Sequence, residues 1–178
     1  MTQPPTSLTF RLMLAMASIV AYSVLAQLVP VFESFESIPN INTVFHLVVG
    51  AVFGALVMAP CARAPRREMR GIALTVAAAA IYYGAVRFVV NSPPGLDALA
   101  TFTLAGAGAA LLCGVAVAAI APLAFDLRLA ALLLVAGAAG GAVFDVKFSF
   151  DPNLLLGHAA WQLLVCFALY LGSRRAST

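Results

Sequence analysis

Long, unbroken apolar runs dominate the chain, at about 10–29, 44–59, 71–90, 99–121, 129–144 and 154–172. Neither strand alternation nor a clear helical stripe divides them into an inner and an outer face. A hydrocarbon core about 30 Å thick is crossed by roughly 20 apolar residues wound as a helix. The runs therefore predict an all-α, polytopic membrane protein. It would be a bundle of six transmembrane helices forming a single domain over residues 1–178. The second and fifth runs are short, which predicts upright helices or the recruitment of flanking residues. Because nearly every run is apolar all round, periodicity does not say which side chains face the interior.

The breaks between runs carry the expected punctuation. Pro30 and Pro39 follow the first, Pro60 and Pro65 the second, and Pro93-Pro94-Gly95 the third. Pro122 ends the fourth, and Asp151-Pro152-Asn153 opens the sixth, where proline in a first turn sacrifices no helical hydrogen bond. Gly50 and Gly54 form one GxxxG pair and Gly137 and Gly141 another. In lipid, small residues four apart let helix backbones approach closely. These pairs predict close packing within a compact bundle rather than a homodimer contact.

Composition sharpens the class. Of 178 residues, 63% are hydrophobic and only 10% charged, with a mean hydropathy of +1.02. A typical soluble domain has about 45–50% apolar and about 25% charged residues. A secreted or cytosolic globular domain, a disordered chain and a nucleic-acid-binding module are all excluded. The net charge of +3 and pI near 9.0 are orientation signals, because the basic residues sit at the ends of the runs. With the N-terminus cytoplasmic, Arg11, Arg63, Arg66, Arg67, Arg70, Arg128, Arg174 and Arg175 lie inside, against Arg87 and Lys147 outside. That bias predicts cytoplasmic N- and C-termini and a multi-pass protein of the inner (plasma) membrane. Val24-Leu25-Ala26 has the look of a signal-peptidase site, but the run continues to Val29, which predicts an uncleaved first helix. Cys61, Cys113 and Cys166 form no CxxC pair and read as small buried hydrophobes.

The polar residues are distributed unevenly. The cytoplasmic ends hold arginines and little else. The outer ends hold Glu33, Glu36, Asn42, His46, Tyr82, Tyr83, Arg87, Asn91, Asp97, Asp145, Lys147, Asp151, His158, Trp161 and Gln162. Ionisable residues inside an apolar zone point to function by default. From this set we select His46, Tyr83, Arg87, Asp97, Asp145, His158, Trp161 and Gln162 as an outward-opening pocket. His158, Trp161 and Gln162 share one helix face at i, i+3 and i+4. A His158–Asp145 pair would be the polar anchor, Trp161 an apolar wall and Arg87 an anion contact. The bland alternative is an interfacial belt, with Arg87 in a structural ion pair to Asp97, Asp145 or Glu36. His46, Asp97 and His158 are the candidate metal ligands. Zinc suits such a set, although HExxH spacing is absent. A bis-histidine haem between His46 and His158 is disfavoured. No phosphate-binding loop or nucleophile elbow occurs.

From His158 the chain reads H-A-A-W-Q-L-L-V-C-F-A-L-Y-L. This resembles the last helix of the alkaline ceramidase group, in the membrane-hydrolase superfamily that includes haemolysin-III-like and adiponectin-receptor-like proteins. That helix reads H-A-x-W-H-x-L, with both histidines on zinc. His158 and Trp161 match, and Gln162 replaces the second histidine. A weaker echo runs from Tyr82 to Asp97, where Asp97 matches an aspartate of the family but no histidine stands near Tyr83. The resemblance covers about 15 residues well and implies a zinc-dependent lipid amide hydrolase with an incomplete ligand set. Gln is a poor zinc ligand beside imidazole. In architecture alone, six helices with both termini inside also resemble the substrate-binding subunit of vitamin transporters.

The leading expectation is a non-enzymatic membrane protein that binds a small-molecule or lipid-like ligand, or a partner subunit, through an outer-leaflet pocket. The alternatives are the hydrolase, the vitamin-type transporter subunit, and a purely structural subunit of a membrane complex. The expected partners are the bilayer and that ligand or complex partner, with no nucleic acid.

Overall fold

The computed structural model describes residues 7–33, 41–62, 66–121, 125–145 and 153–175, which form helices joined by short turns, with no strand among them. The six main helices are α1 (Leu8–Glu33), α2 (Ile41–Phe53), α3 (Arg67–Val90), α4 (Ala98–Ile120), α5 (Leu127–Ala142) and α6 (Asn153–Arg175). Each belongs to a helical segment long and apolar enough to cross a membrane. The two short runs gain length in the way their sequence suggests. A π turn at Gly54–Met58 and a 3₁₀ turn at Ala59–Cys61 prolong α2, and a 3₁₀ turn at Val143–Asp145 prolongs α5. α1 passes Pro30 and ends only at Glu33, further than its punctuation suggested. A proline so near a helix end removes only one late hydrogen bond. Glu36, Arg63, Lys147 and Asp151 lie outside the described residues.

Each helix packs on its neighbours in chain order, and α6 returns to α1, so the bundle is a closed ring. The glycine pairs set two of its seams. A Cβ on Gly50 would stand 2.7 Å from the Cβ of Tyr82, and one on Gly54 would stand 2.7 Å from that of Ala78. The α2 backbone is thus pressed against α3. On α5, Gly137 and Gly141 meet Gly106 and Phe102 of α4 just as closely. The interior is filled by aliphatic side chains, among them Met58, Leu74, Leu133, Val165 and Leu169. Outward, Met13, Met16, Val20, Ile72, Val76, Leu127 and Val135 are at least half exposed. An apolar belt of this extent is stable against lipid but not against water.

One end of the ring gathers arginines. Arg11 is buried there rather than lying on the surface. Its Nη1 donates to Cys61 Sγ at 3.3 Å, its carbonyl accepts from the Cys166 thiol at 3.5 Å, and its guanidinium sits 5.7 Å from the Tyr170 ring. Cys61 and Cys166 are buried, as small hydrophobes are, but they also satisfy Arg11. The opposite end holds the site.

Candidate functional site

At the end away from Arg11 the ring does not close tightly. A cavity of about 370 Å³ opens between the helices, and side chains from all six segments line it. Tyr22 comes from α1, Phe45 and His46 from α2, Tyr82, Val86 and Val89 from α3, and Phe102 and Gly106 from α4. Gly141 and Phe144 come from α5 and its 3₁₀ extension, and His158 and Trp161 from α6. The walls are mostly aromatic and aliphatic, with a few polar atoms converging on one side. That is the usual make-up of a small-molecule pocket, whose volume generally falls between about 300 and 1,000 Å³.

The polar side is an aromatic cluster. Tyr82 Oη and His158 Nε2 share a hydrogen bond of 2.9 Å. The Tyr22 ring lies 3.9 Å from the His158 ring, and Phe144 meets that ring edge-on at 5.0 Å. His46 sits 6.1 Å from Tyr82 and 5.3 Å from Phe45 by ring centroid. Its Nδ1 is buried and has no hydrogen-bond partner. Trp161 closes the floor, donating through Nε1 to the Gly106 carbonyl at 3.0 Å and packing 5.1 Å from Phe53.

Of the eight residues selected from sequence, the fold brings His46, His158 and Trp161 together in the cavity. Gln162 is fully buried but lies outside the lining. Tyr83, Arg87, Asp97 and Asp145 do not line it either. The reasons are local. Tyr82 rather than Tyr83 faces inward, because Tyr82 packs on Gly50 and neighbours on a helix point about 100° apart. Arg87 is exposed near the end of α3, with no ion pair among the described residues, where its long stem can carry the charge outward. Asp97 is the N-cap of α4, its Oδ1 accepting from the Ala100 amide at 2.7 Å. Asp145 is half-buried at the end of the 3₁₀ turn, and its neighbour Phe144 takes the place against His158. The partner of His158 is therefore Tyr82, not Asp145.

Two of the lining residues that carry a polar group, Tyr82 and Tyr22, are absent from the eight. Tyr82 stands among the outer-end polar residues, but sequence gives no reason to prefer it over Tyr83. Tyr22 has a fainter signal: Ser18 and Tyr22 stand four apart in an apolar stretch whose one other polar residue is Ser23. That spacing marks one face of α1.

The donor set for a metal is not assembled here. Among the described residues no three of His, Cys, Asp and Glu converge on one point. Asp97, the third member of the candidate zinc set, is committed to its cap. The hydroxyl of Tyr82 occupies the His158 nitrogen that a haem iron would take. The chain matches no protein-family profile, no curated protein and no solved structure.

Proposed function

We propose that this protein binds a small, lipid-like ligand in the cavity at the non-arginine end of its helical ring. The observation that carries this reading is a mostly apolar cavity bounded by all six segments, with His46 and the hydrogen-bonded Tyr82–His158 pair in its lining. An apolar body would rest on Val86, Val89, Phe102 and Phe144. A polar head would reach His46 and the Tyr82–His158 pair. The lining is mostly apolar, which favours binding over turnover as the activity of the site. The arginine bias supports a cavity at the outer leaflet of the inner membrane, with both termini in the cytoplasm.

The test is native mass spectrometry of the full chain released from a mild detergent. The expected result is a co-purified small mass in the wild type, lost in Val86→Trp, with the helical signal of the fold retained. A wild-type chain that is bare under conditions preserving its fold overturns the reading. A bare chain released from a larger assembly favours the structural-subunit alternative.

A further inference from the structure

Each of the six segments contributes one Phe, Tyr or Trp to the cavity: Tyr22, Phe45, Tyr82, Phe102, Phe144 and Trp161. Such residues are six of the sixteen described in the lining, against 10% of the chain as a whole. An interfacial belt would turn them toward lipid headgroups. Here none of the six is exposed, so anchoring in the bilayer does not account for them.

The rings form two flat walls. Phe102 and Phe144 stack with centroids 5.6 Å apart and planes 16° apart. Tyr82 and His158 stack at 5.5 Å and 28°. Phe144 and His158 stand 87° apart, so the two pairs meet at close to a right angle. Aromatic rings favour offset-stacked and edge-to-face contacts, and a corner of this shape offers a planar guest both.

The described lining holds no Asp, Glu, Lys or Arg. Arg87 is exposed and Asp97 caps α4, so neither answers a charge in the cavity. An ionised ligand would leave water without meeting an opposite formal charge, which is strongly unfavourable. What the cavity offers instead is the hydrogen bond shared by Tyr82 and His158. A phenol both donates and accepts, and a neutral imidazole has one nitrogen of each kind. When His158 Nε2 donates, the Tyr82 O–H is left for a ligand carbonyl. When it accepts, a Tyr82 lone pair is left for a ligand hydroxyl. A volume of about 370 Å³ is at the small end for ligand pockets, which suits a ring system rather than a two-chain lipid.

We propose that the ligand is an uncharged ring compound bearing a carbonyl or hydroxyl, the chemistry of a quinone or its quinol. This rests on the reading of the cavity as a binding site and names what that site selects. The ring stacks on the Phe102–Phe144 wall, and its oxygen meets the Tyr82–His158 pair.

Trp161 is the chain's single tryptophan and lines the same cavity, so its emission reports occupancy. The test titrates the full chain in detergent micelles with four probes that lower tryptophan emission at short range. The first is 2,3-dimethyl-1,4-naphthoquinone, whose ring is blocked against thiol addition. Two more, 2-naphthoate and naphthyltrimethylammonium, put a charge of either sign on the same two-ring frame. Dibromostearyl alcohol is uncharged but has no ring. The quinone should quench saturably, with the charged probes at least about tenfold weaker because their charge goes unpaired. The alcohol should also bind more weakly than the quinone. Val86→Phe, which fills the cavity without adding a tryptophan, should abolish saturation. Tyr82→Phe should weaken the quinone about fivefold, the loss of one hydrogen bond, and an unchanged affinity there overturns recognition by the pair. A charged probe or the alcohol binding as tightly as the quinone overturns the ligand class and leaves the cavity standing as a binding site. Saturation that survives Val86→Phe places the quinone elsewhere and overturns the proposal. No saturable quenching by any probe, with the helical signal retained, overturns the cavity reading as well.

Discussion

The hydroxyl of Tyr82 and Nε2 of His158 lie 2.9 Å apart, joining α3 to α6 across the mouth of the ring. These helices are not neighbours in the ring, so the bond spans the cavity end rather than a packed seam. A neutral hydrogen bond of this kind contributes about 1 kcal/mol net, and a buried imidazole left without it loses more. Tyr82→Phe should therefore lower the thermal midpoint while leaving the fold intact. In the binding reading it should also weaken retention of the co-purified mass, because it removes one end of the polar pair. Scanning fluorimetry and native mass spectrometry of the same sample check both outcomes.

The α2–α3 seam gives a sharper test of packing. Gly50→Val puts a branched side chain where even a bare Cβ meets the backbone of Ala79 and the Cβ of Tyr82. Overpacking a close-packed interface typically costs about 1–3 kcal/mol, and here the crowded side chain is one that lines the cavity. Gly84→Ala is the control, since a Cβ at that position would meet nothing within 4 Å. Denaturation in mixed micelles should separate the two clearly, with Gly84→Ala close to wild type.

Asp97 distinguishes a helix cap from a ligand. If its carboxylate serves only the Ala100 amide, Asp97→Asn should be nearly silent, because asparagine caps as well. Asp97→Ala should lose about 1 kcal/mol of stability. Neither variant should change what the cavity retains. A loss of bound mass in Asp97→Asn at unchanged stability would return Asp97 to the site.

The topology can be read by chemical access. Asp97→Cys, exposed beside the cavity end, should react with a membrane-impermeant maleimide added outside intact cells. Arg128→Cys, at the arginine end of the ring, should react only after the membrane is permeabilised. The native Cys61, Cys113 and Cys166 are buried and should contribute little background. The reverse pattern would place the cavity at the inner leaflet.

Much of the fold was legible without coordinates. Apolar length alone marks the helices, because backbone groups in a hydrocarbon core must be satisfied within one segment. The short second and fifth runs called for upright helices or recruited flanking residues, and flanking turns are added that end at Cys61 and Asp145. Gly50, Gly54, Gly137 and Gly141 marked two seams, since only small residues allow such approach. His46, His158 and Trp161 also stood out, because polar or amphipathic side chains in an apolar run have few other reasons to be there.

What the tertiary structure decided was direction. Tyr82 faces the cavity and Tyr83 does not. Phe144 contacts His158 while Asp145 stays out of the lining, and Asp97 spends its carboxylate on a cap. Buried Arg11 holds two thiols, where sequence suggested only an orientation charge. Hydrophobic patterning reports which residues leave water, and in a membrane both the lipid face and the interior satisfy it equally. Only the packing of six helices around a common axis breaks that degeneracy, turning single polar residues into the Tyr82–His158 pair and the Arg11 cluster with Cys61 and Cys166.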